Sequence, residues 1–198
     1  MKRSSKPILL LALLLAFATP SCDVLEQTAQ VQRLSLCTFD VTGVDNIRLA
    51  GVNLRQGMSY SDLNAAQVMS LTGALFNRNL PLEFNLNVKV DNPNDKPAAM
   101  NRMEYNILLD GMQLVAGAVD DRYEVPAGAS TTIPMRLQLE LFEALSGESG
   151  DALVNLAFKL TGNESNPSEL LFRVKPYIRV GGRELAYPGY LNVNHTLN

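Results

Sequence analysis

The stretch Leu80-Pro-Leu-Glu-Phe-Asn-Leu-Asn-Val-Lys-Val90 decides the fold class. Apolar side chains occupy every second position, and Pro81 and polar or charged residues fill the positions between them. Successive side chains of a strand point to opposite faces, so the pattern predicts a β-strand with one face on a core and the other in water. Burial on one face only is common in antiparallel sheets.

Other segments repeat this period of two, and turn residues separate them. Asp110-Gly111 predicts a hairpin, because a type I′ turn needs positive φ at both central residues. Pro134 lacks an amide donor and predicts a strand at a sheet edge or a strand start. Gly181-Gly182 predicts a turn. The predicted strands are residues 34–44 and 47–54, as one or two strands, followed by 103–109, 112–119, 133–141, 154–160 and 170–180.

Two segments break the alternation and predict helices. Residues 61–76 carry apolar side chains at helical spacing, with Ser59 and Ser61 as candidate N-caps, so we expect about four turns with one face on the sheets. A shorter helical turn is expected near residues 141–145. About eight short strands with one inserted helix predict a mainly β protein, a two-sheet antiparallel β-sandwich.

The N-terminus has the pattern of a secretory signal. Residues 1–7 contain the basic side chains Lys2, Arg3 and Lys6. The 11 uncharged residues 8–18 are too few to cross a hydrocarbon core of roughly 30 Å as a helix. Cys22 follows Thr19-Pro-Ser21, which resembles the bacterial lipobox and predicts acylation of Cys22. Ala16-Phe-Ala18 offers an alternative cleavage site, which would leave Cys22 free to pair with Cys37.

The predicted organisation is a lipoprotein signal peptide over residues 1–21, a tether over 22–32 and a single domain over 33–198. Three of the 17 basic residues and none of the 20 acidic ones lie in the signal, so the remainder has a net charge of −6. This balance argues against nucleic-acid binding and against a polybasic membrane-surface site. No later apolar stretch reaches the length of a transmembrane helix.

An ordered set of motifs between residues 80 and 141 resembles the group 2 late embryogenesis abundant proteins, whose module is also called the water stress and hypersensitive response domain. The matching residues are Val88-Lys-Val-Asp-Asn-Pro-Asn94, Tyr105-Asn-Ile-Leu-Leu-Asp-Gly-Met-Gln-Leu-Val-Ala-Gly117, Val125-Pro-Ala-Gly128 and Ser130-Thr-Thr132. The resemblance implies an immunoglobulin-like or fibronectin-like sandwich and no enzymatic activity. It gives Asn92, Pro93, Asn94, Tyr105, Asp110 and Gly111 structural roles.

No catalytic or metal-binding constellation is visible, so we predict no enzyme, no cofactor and no metal. His195 is the only histidine, and we expect it in a frayed tail. Cys22 and Cys37 lack metal or redox spacing, and we expect Cys37 unpaired on a strand. The oxygen-rich segment 91–95 could hold a calcium ion, but turns use the same residues, and we favour the turn.

The sequence therefore predicts a non-enzymatic, membrane-anchored envelope lipoprotein with a binding or stress-protective role. Its expected partners are the membrane, through the lipid on Cys22, and an apolar ligand or an envelope protein. The alternative is a carrier of lipid or another small apolar ligand in a groove between helix 61–76 and the sandwich. A third hypothesis is an adaptor that pairs a strand edge with a partner. The methionines that motivate the carrier are Met58, Met69, Met100, Met103, Met112 and Met135.

Overall fold

The computed structural model describes residues 33–162, 166–180 and 183–198. The strands in these ranges are β1 Thr38–Leu49, β2 Val52–Asn53, β3 Pro81–Asp91, β4 Ala98–Met100, β5 Arg102–Leu109, β6 Met112–Val119, β7 Tyr123–Val125, β8 Ser130–Glu140, β9 Ser168–Val180, β10 Arg183–Ala186 and β11 Leu191–Leu197. The α-helices are α1 Ala65–Phe76, α2 Leu141–Ala144 and α3 Gly150–Lys159, and a 3-10 turn spans Tyr60–Asp62. Residues 33–36 are also helical. None of the helices in the described ranges is long and apolar enough to cross a membrane.

The strands form two main antiparallel sheets, which confirms the predicted β-sandwich. The first sheet has the order β2-β1-β3-β8. In the second, β6 pairs with β5 and β5 with β9, and both β10 and β11 pair with the other edge of β9. A small two-stranded sheet joins β4 to β7. One continuous apolar core lies between the main sheets.

Strand β3 is the predicted strand, and it organises the first sheet. It pairs with β1 on one side and along its whole length with β8 on the other. Its inward side chains, among them Phe84 and Leu86, are buried, and the side chains between them are half-buried. Within the described chain β8 pairs with β3 alone, so Pro134 lies in an edge strand as predicted.

The predicted hairpin between β5 and β6 is confirmed. Asp110 has φ of 50° and Gly111 has φ of 80°. Both values lie in the left-handed region that a type I′ turn requires. The turn brings Leu109 opposite Met112 at the end of the ladder.

The strand predicted over residues 154–160 is wrong, because these residues belong to helix α3. The Ser149 side chain accepts a hydrogen bond from the Ala152 amide and caps the helix. Leu153, Ala157 and Leu160 recur at helical spacing on its buried side. This segment has so many apolar residues that they fit the period of a strand as well as that of a helix. The Ser149 N-cap is the sequence signal that distinguishes the helix from the strand.

The helix predicted over residues 61–76 is shorter than expected. Asn64 caps α1, because its side chain accepts from the Gln67 amide while Gln67 Oε1 accepts from the Asn64 amide. Ser59 caps the preceding 3-10 turn instead, and Leu63 between the two elements is extended. Helix α1 therefore has 12 residues, about three turns. The short helix near residues 141–145 is present as α2.

The N-terminal strands also begin differently from the prediction. Cys37 lies just before β1 rather than on a strand, because residues 33–36 are helical. From Thr38 onward β1 follows β3 with two irregularities in register, which let it run through residues 45–47 without a break. The signal peptide, the whole tether with Cys22, and Gly181-Gly182 lie outside the described residues.

We expect Gly117→Ala to destabilise the fold by about 1–3 kcal/mol, the usual cost of a forced small-to-large change in packed structure. A methyl group at Gly117 would lie 2.6 Å from the Tyr105 hydroxyl and 2.9 Å from the ring carbon that carries it. Gly73→Ala is the matched control, since nothing lies within 4 Å of its added methyl and alanine favours a helix by up to about 1 kcal/mol. Urea unfolding measures both changes. The free energy of unfolding should fall in Gly117→Ala and rise slightly in Gly73→Ala. A loss of the same size in both variants would contradict the packing described.

Candidate functional site

The Asn92 side chain is the most densely bonded polar group of the described chain. It follows the last inward residue of β3 and is only 2% exposed. Its Nδ2 donates to the carbonyl oxygens of Lys96, Val125 and Pro126, each at 3.0 Å. Its Oδ1 accepts from the Asn94 amide at 3.1 Å. A buried amide that meets this many partners ties separate segments to one point.

Backbone bonds extend this cluster to the turn before β8. The Asn92 amide donates to the Ala129 carbonyl at 2.9 Å, and the Gly128 amide donates to the Asn94 carbonyl at 3.0 Å. Pro93 keeps Asn92 out of helical geometry, which suits the end of a strand. The Pro-Ala-Gly turn at 126–128 thus forms one structural unit with residues 92–94, although at least 31 residues lie between them in the sequence.

The N-terminal segment enters the domain at the same place. Asn94 Nδ2 donates to the Arg33 carbonyl at 3.0 Å, and the Cys37 thiol lies 3.7 Å from Asn92 Oδ1. Burial raises the pKa of Cys37 to about 11, so its reactive thiolate is scarce at neutral pH. We call this end of the sandwich, with residues 33–37 and 92–100, the entry pole.

The oxygens of segment 91–95 are already used within the protein. The Asp91 carboxylate accepts from the Ser130 hydroxyl and forms an ion pair with Lys89 at 2.9 Å. The Ser130 hydrogen bond, with that from Lys89, lowers the pKa of Asp91. Across the described residues no group of three or more His, Cys, Asp or Glu could hold a metal ion. These contacts favour the turn over the calcium site.

The remaining motif residues lie away from the entry pole. Tyr105 packs across β5–β6 against Gly117, and burial raises the pKa of its hydroxyl. Asp110 and Gly111 form the turn at the opposite end of β5. There the Asp110 carboxylate contacts Lys159 Nζ at 2.5 Å and accepts from the Glu169 amide at 2.9 Å. The structure therefore does not bring the six motif residues into one site.

Helix α1 presents an apolar surface that the sequence analysis placed against the sandwich. The helix has no charged residue, and of its side chains only Leu71 is buried. Met69 is 76% exposed and Phe76 is 88% exposed. We call the surface around Met69 and Phe76 the α1 face. Phe76 lies four residues before Leu80 at the start of the β3 segment, so the α1 face is at the end opposite the entry pole.

A groove of about 290 Å³ adjoins α1, between this helix and α3. Leu71, Leu75 and Val154 supply its apolar lining, and Tyr60, Thr72, Asp151 and Asn155 complete it. Met58, Met100, Met103 and Met135 do not line it, because all of them are buried in the core. Most of the methionines therefore fill the core, and only Met69 lies on α1.

His195 is placed better than the sequence suggested. It lies within β11 and pairs with Leu170 of β9, so the expectation of a frayed tail is wrong. A larger concavity, of about 830 Å³, covers the outer face of the first sheet. Its lining includes Arg48, Glu83, Asn85 and Arg136.

Residues 87–185 match the sequence profile of the family described as late embryogenesis abundant protein. The chain belongs to this family. The match covers half of the chain and contains β4 to β9 complete. No functionally curated protein matches this late embryogenesis abundant protein significantly.

Solved structures match the late embryogenesis abundant chain only at low identity and with low TM-scores. A crystal structure of a protein from Archaeoglobus fulgidus is 14% identical, with 79% of this chain and 95% of that chain covered and a TM-score of 0.36. A solution structure from Arabidopsis thaliana is 15% identical, with 61% and 71% covered and a TM-score of 0.41. Similarity at this level says nothing about ligands or activity, and the assignment depends on the sequence match.

Asn92→Ala should destabilise the protein by about 3 kcal/mol, because it removes the donor from one buried carbonyl oxygen, of Val125, and from two partly buried ones, of Lys96 and Pro126, at about 1 kcal/mol each. Asn85→Ala is the matched control on the same strand, since Asn85 is half-buried and bonds only the exposed Asp45 carboxylate. Urea unfolding compares the two. Similar stabilities for both variants would show that Asn92 does not join the segments.

Asp110→Asn should reduce the loss of stability in acid. The Lys159 hydrogen bond and the Glu169 amide hold the pKa of Asp110 below its ordinary value of 3.8. The folded state therefore gains from ionised Asp110 above about pH 4 and loses this gain as the pH falls through the lowered pKa. Asparagine keeps the positive φ but not the charge. Unfolding midpoints at about pH 6 and about pH 3 test this, and an unchanged difference between the two pH values in the variant would contradict it.

Proposed function

We propose that this late embryogenesis abundant protein is a stress-protective, non-enzymatic protein of the bacterial cell envelope, of the group 2 type, tethered to a membrane by an acylated Cys22. Family membership suggests a stress-related, non-enzymatic role. The basic n-region, the short apolar run and the cysteine that follows support the envelope address.

The observation that carries the protective role is the α1 face. Contiguous exposed apolar surface on a folded protein marks a place where another apolar surface binds. The face has no charges of its own and lies at the end of the sandwich opposite the entry pole. A protein tethered through residues 22–32 holds this face away from its anchor, where it can cover apolar segments of envelope proteins that stress has unfolded.

The carrier of a lipid or small apolar ligand is the second candidate, and the groove between α1 and α3 favours it. Its volume of about 290 Å³ is at the lower limit of ligand pockets, which begin near 300 Å³. Half of its lining is polar, and a neighbouring cavity of about 380 Å³, which Met58 and Phe158 help to line, shares Tyr60 and Asn155 with it. Native mass spectrometry of protein purified without detergent decides between the two. Co-purifying lipid supports the carrier.

Loss of the α1 face should remove protection without unfolding the protein. A deletion strain is complemented with Met69→Ser/Phe76→Ser, and survival is counted after drying, osmotic and detergent stress. We expect survival at the level of the deletion strain, while Met112→Ser, which changes an exposed methionine on β6, restores the wild-type level. Full protection by the double variant, or no phenotype of the deletion itself, would contradict the proposed role.

The intact mass of the protein extracted from cells tests the proposed tether independently. An acylated chain that begins at Cys22 supports the anchor. A chain without acyl groups that begins at Thr19 would show cleavage after Ala16-Phe-Ala18 and remove the anchor. Thiol titration of the native protein then gives a second answer, since buried Cys37 reacts slowly and only unacylated Cys22 reacts fast.

A further inference from the structure

A row of alternating cations and tyrosine rings crosses the outer face of the second sheet. The Arg102 guanidinium lies 4.9 Å from the centre of the Tyr177 ring, and Lys175 Nζ lies 5.8 Å from the same ring. Lys175 Nζ is also 5.9 Å from the centre of the Tyr190 ring, and the Arg173 guanidinium is 4.9 Å from it. These distances suit cation–π contacts, so the five side chains hold one another in place. We call them the cation–tyrosine row.

Lys175 in the middle of the row and Arg173 at one end of it form no ion pair within the described ranges. Arg102 pairs with Glu104 at 3.0 Å and with Asp120 at 2.9 Å. Glu104 also accepts from the Tyr177 hydroxyl, a hydrogen bond that raises the pKa of Tyr177. Within the described ranges neither Arg173 nor Lys175 forms an ion pair, and tyrosine faces do not neutralise their charge. Glu104 lies opposite Lys175 in the β5–β9 ladder without forming an ion pair with it, so Lys175 and Arg173 remain available to an anion.

The row lies toward the entry pole. Arg102 pairs with Tyr177 across β5 and β9, and it follows β4 by two residues. The Asn101 amide donates to the Tyr177 carbonyl at 2.8 Å, which joins this part of β9 to the segment after β4. The Arg102–Tyr177 end of the row therefore lies at the entry pole, and Arg173, opposite Asn106, lies toward the middle of β5.

Tyr190, one of the two rings of the row, is 39% exposed. Tyrosines and basic residues together are typical of surfaces that rest in lipid headgroups, where the rings are partly wet and the cations meet phosphates.

Carboxylates lie at both ends of the sandwich, and Glu104, Asp120 and Glu184 pair with Arg102 of the row itself. The chain after residue 21 has a net charge of −6, so attraction to an anionic surface has to come from Arg173 and Lys175 locally.

We infer that the cation–tyrosine row is a docking surface for an anionic phospholipid membrane, with Arg173 and Lys175 binding headgroup phosphates and the tyrosines at headgroup level. The 11 residues from Cys22 to Arg33 span at most about 40 Å, so an anchored chain keeps the row within reach of its own membrane. The orientation depends on the proposed tether, but the affinity for anionic lipid belongs to the row itself. Docking would fix the domain with the α1 face pointing away from the bilayer.

Vesicle binding tests this with the full chain carrying Cys22→Ser, which cannot be acylated. Co-sedimentation is measured with phosphatidylcholine vesicles and with vesicles that contain about 30% phosphatidylglycerol. Arg173→Gln/Lys175→Gln is compared with Arg48→Gln/Arg136→Gln, which removes the same charge from the outer face of the first sheet. Any contribution of residues 1–21 is equal in all variants. Thermal unfolding checks that the variants remain folded.

We expect binding to the anionic vesicles only, weakened about thirtyfold by Arg173→Gln/Lys175→Gln, since each basic residue at a membrane surface contributes about a factor of five. The Arg48/Arg136 pair should bind like the parent chain. Equal losses in the two pairs would show an effect of net charge alone and overturn the docking surface. Equal binding to both kinds of vesicle would overturn it as well.

Failure of the tether is a different result from failure of the docking surface. If the natural protein is unacylated but still shows the Arg173/Lys175-dependent binding, the docking surface is supported and the anchor is contradicted. If the natural protein is acylated but its Cys22→Ser form does not bind anionic vesicles, the anchor is supported and the docking surface is contradicted.

Discussion

The buried amide of Asn92 is the interaction on which the arrangement of this sandwich depends. Its two Nδ2 hydrogens are shared among three carbonyl oxygens, from the loop before β4 and from the turn after β7. Asn92 is only 2% exposed, so water has little access to these bonds. Breaking one of them would leave a carbonyl oxygen without a partner, which costs free energy. Because Asn92 directly follows β3, the strand that pairs with both β1 and β8, the cluster fixes the entry pole relative to the centre of the first sheet.

This constraint gives the molecule two different ends. At the entry pole the N-terminal chain is bonded through Asn94 to Arg33, and the cation–tyrosine row lies nearby on β9. At the other end α1 exposes Met69 and Phe76. With the proposed tether at the entry pole, the α1 face would be held at a distance from the membrane, which suits the proposed protective role.

Sequence patterns predicted the parts that depend on local geometry. Strict alternation found β3, and positive-φ chemistry found the Asp110-Gly111 turn. Helix α3 was missed because its apolar residues satisfy two periods at once, and the Ser149 cap that separates them was overlooked. The motif residues were recognised, but their spacing could not show that Asn92 holds the cluster while Asp110 lies at the opposite end. The exposed α1 face and the row on β9 depend on which elements pack together, which is not encoded in any one segment.

Amide hydrogen exchange across the Asn92 cluster tests the central claim most directly. If one buried side chain holds the cluster, the amides of Asn92, Asn94 and Gly128 open together, and as rarely as those in the middle of β3. Mass-resolved exchange of the native protein should therefore show peptides over residues 92–100 and 123–129 exchanging in one slow, shared phase. Fast and independent exchange of the two peptides, with β3 still protected, would contradict the account.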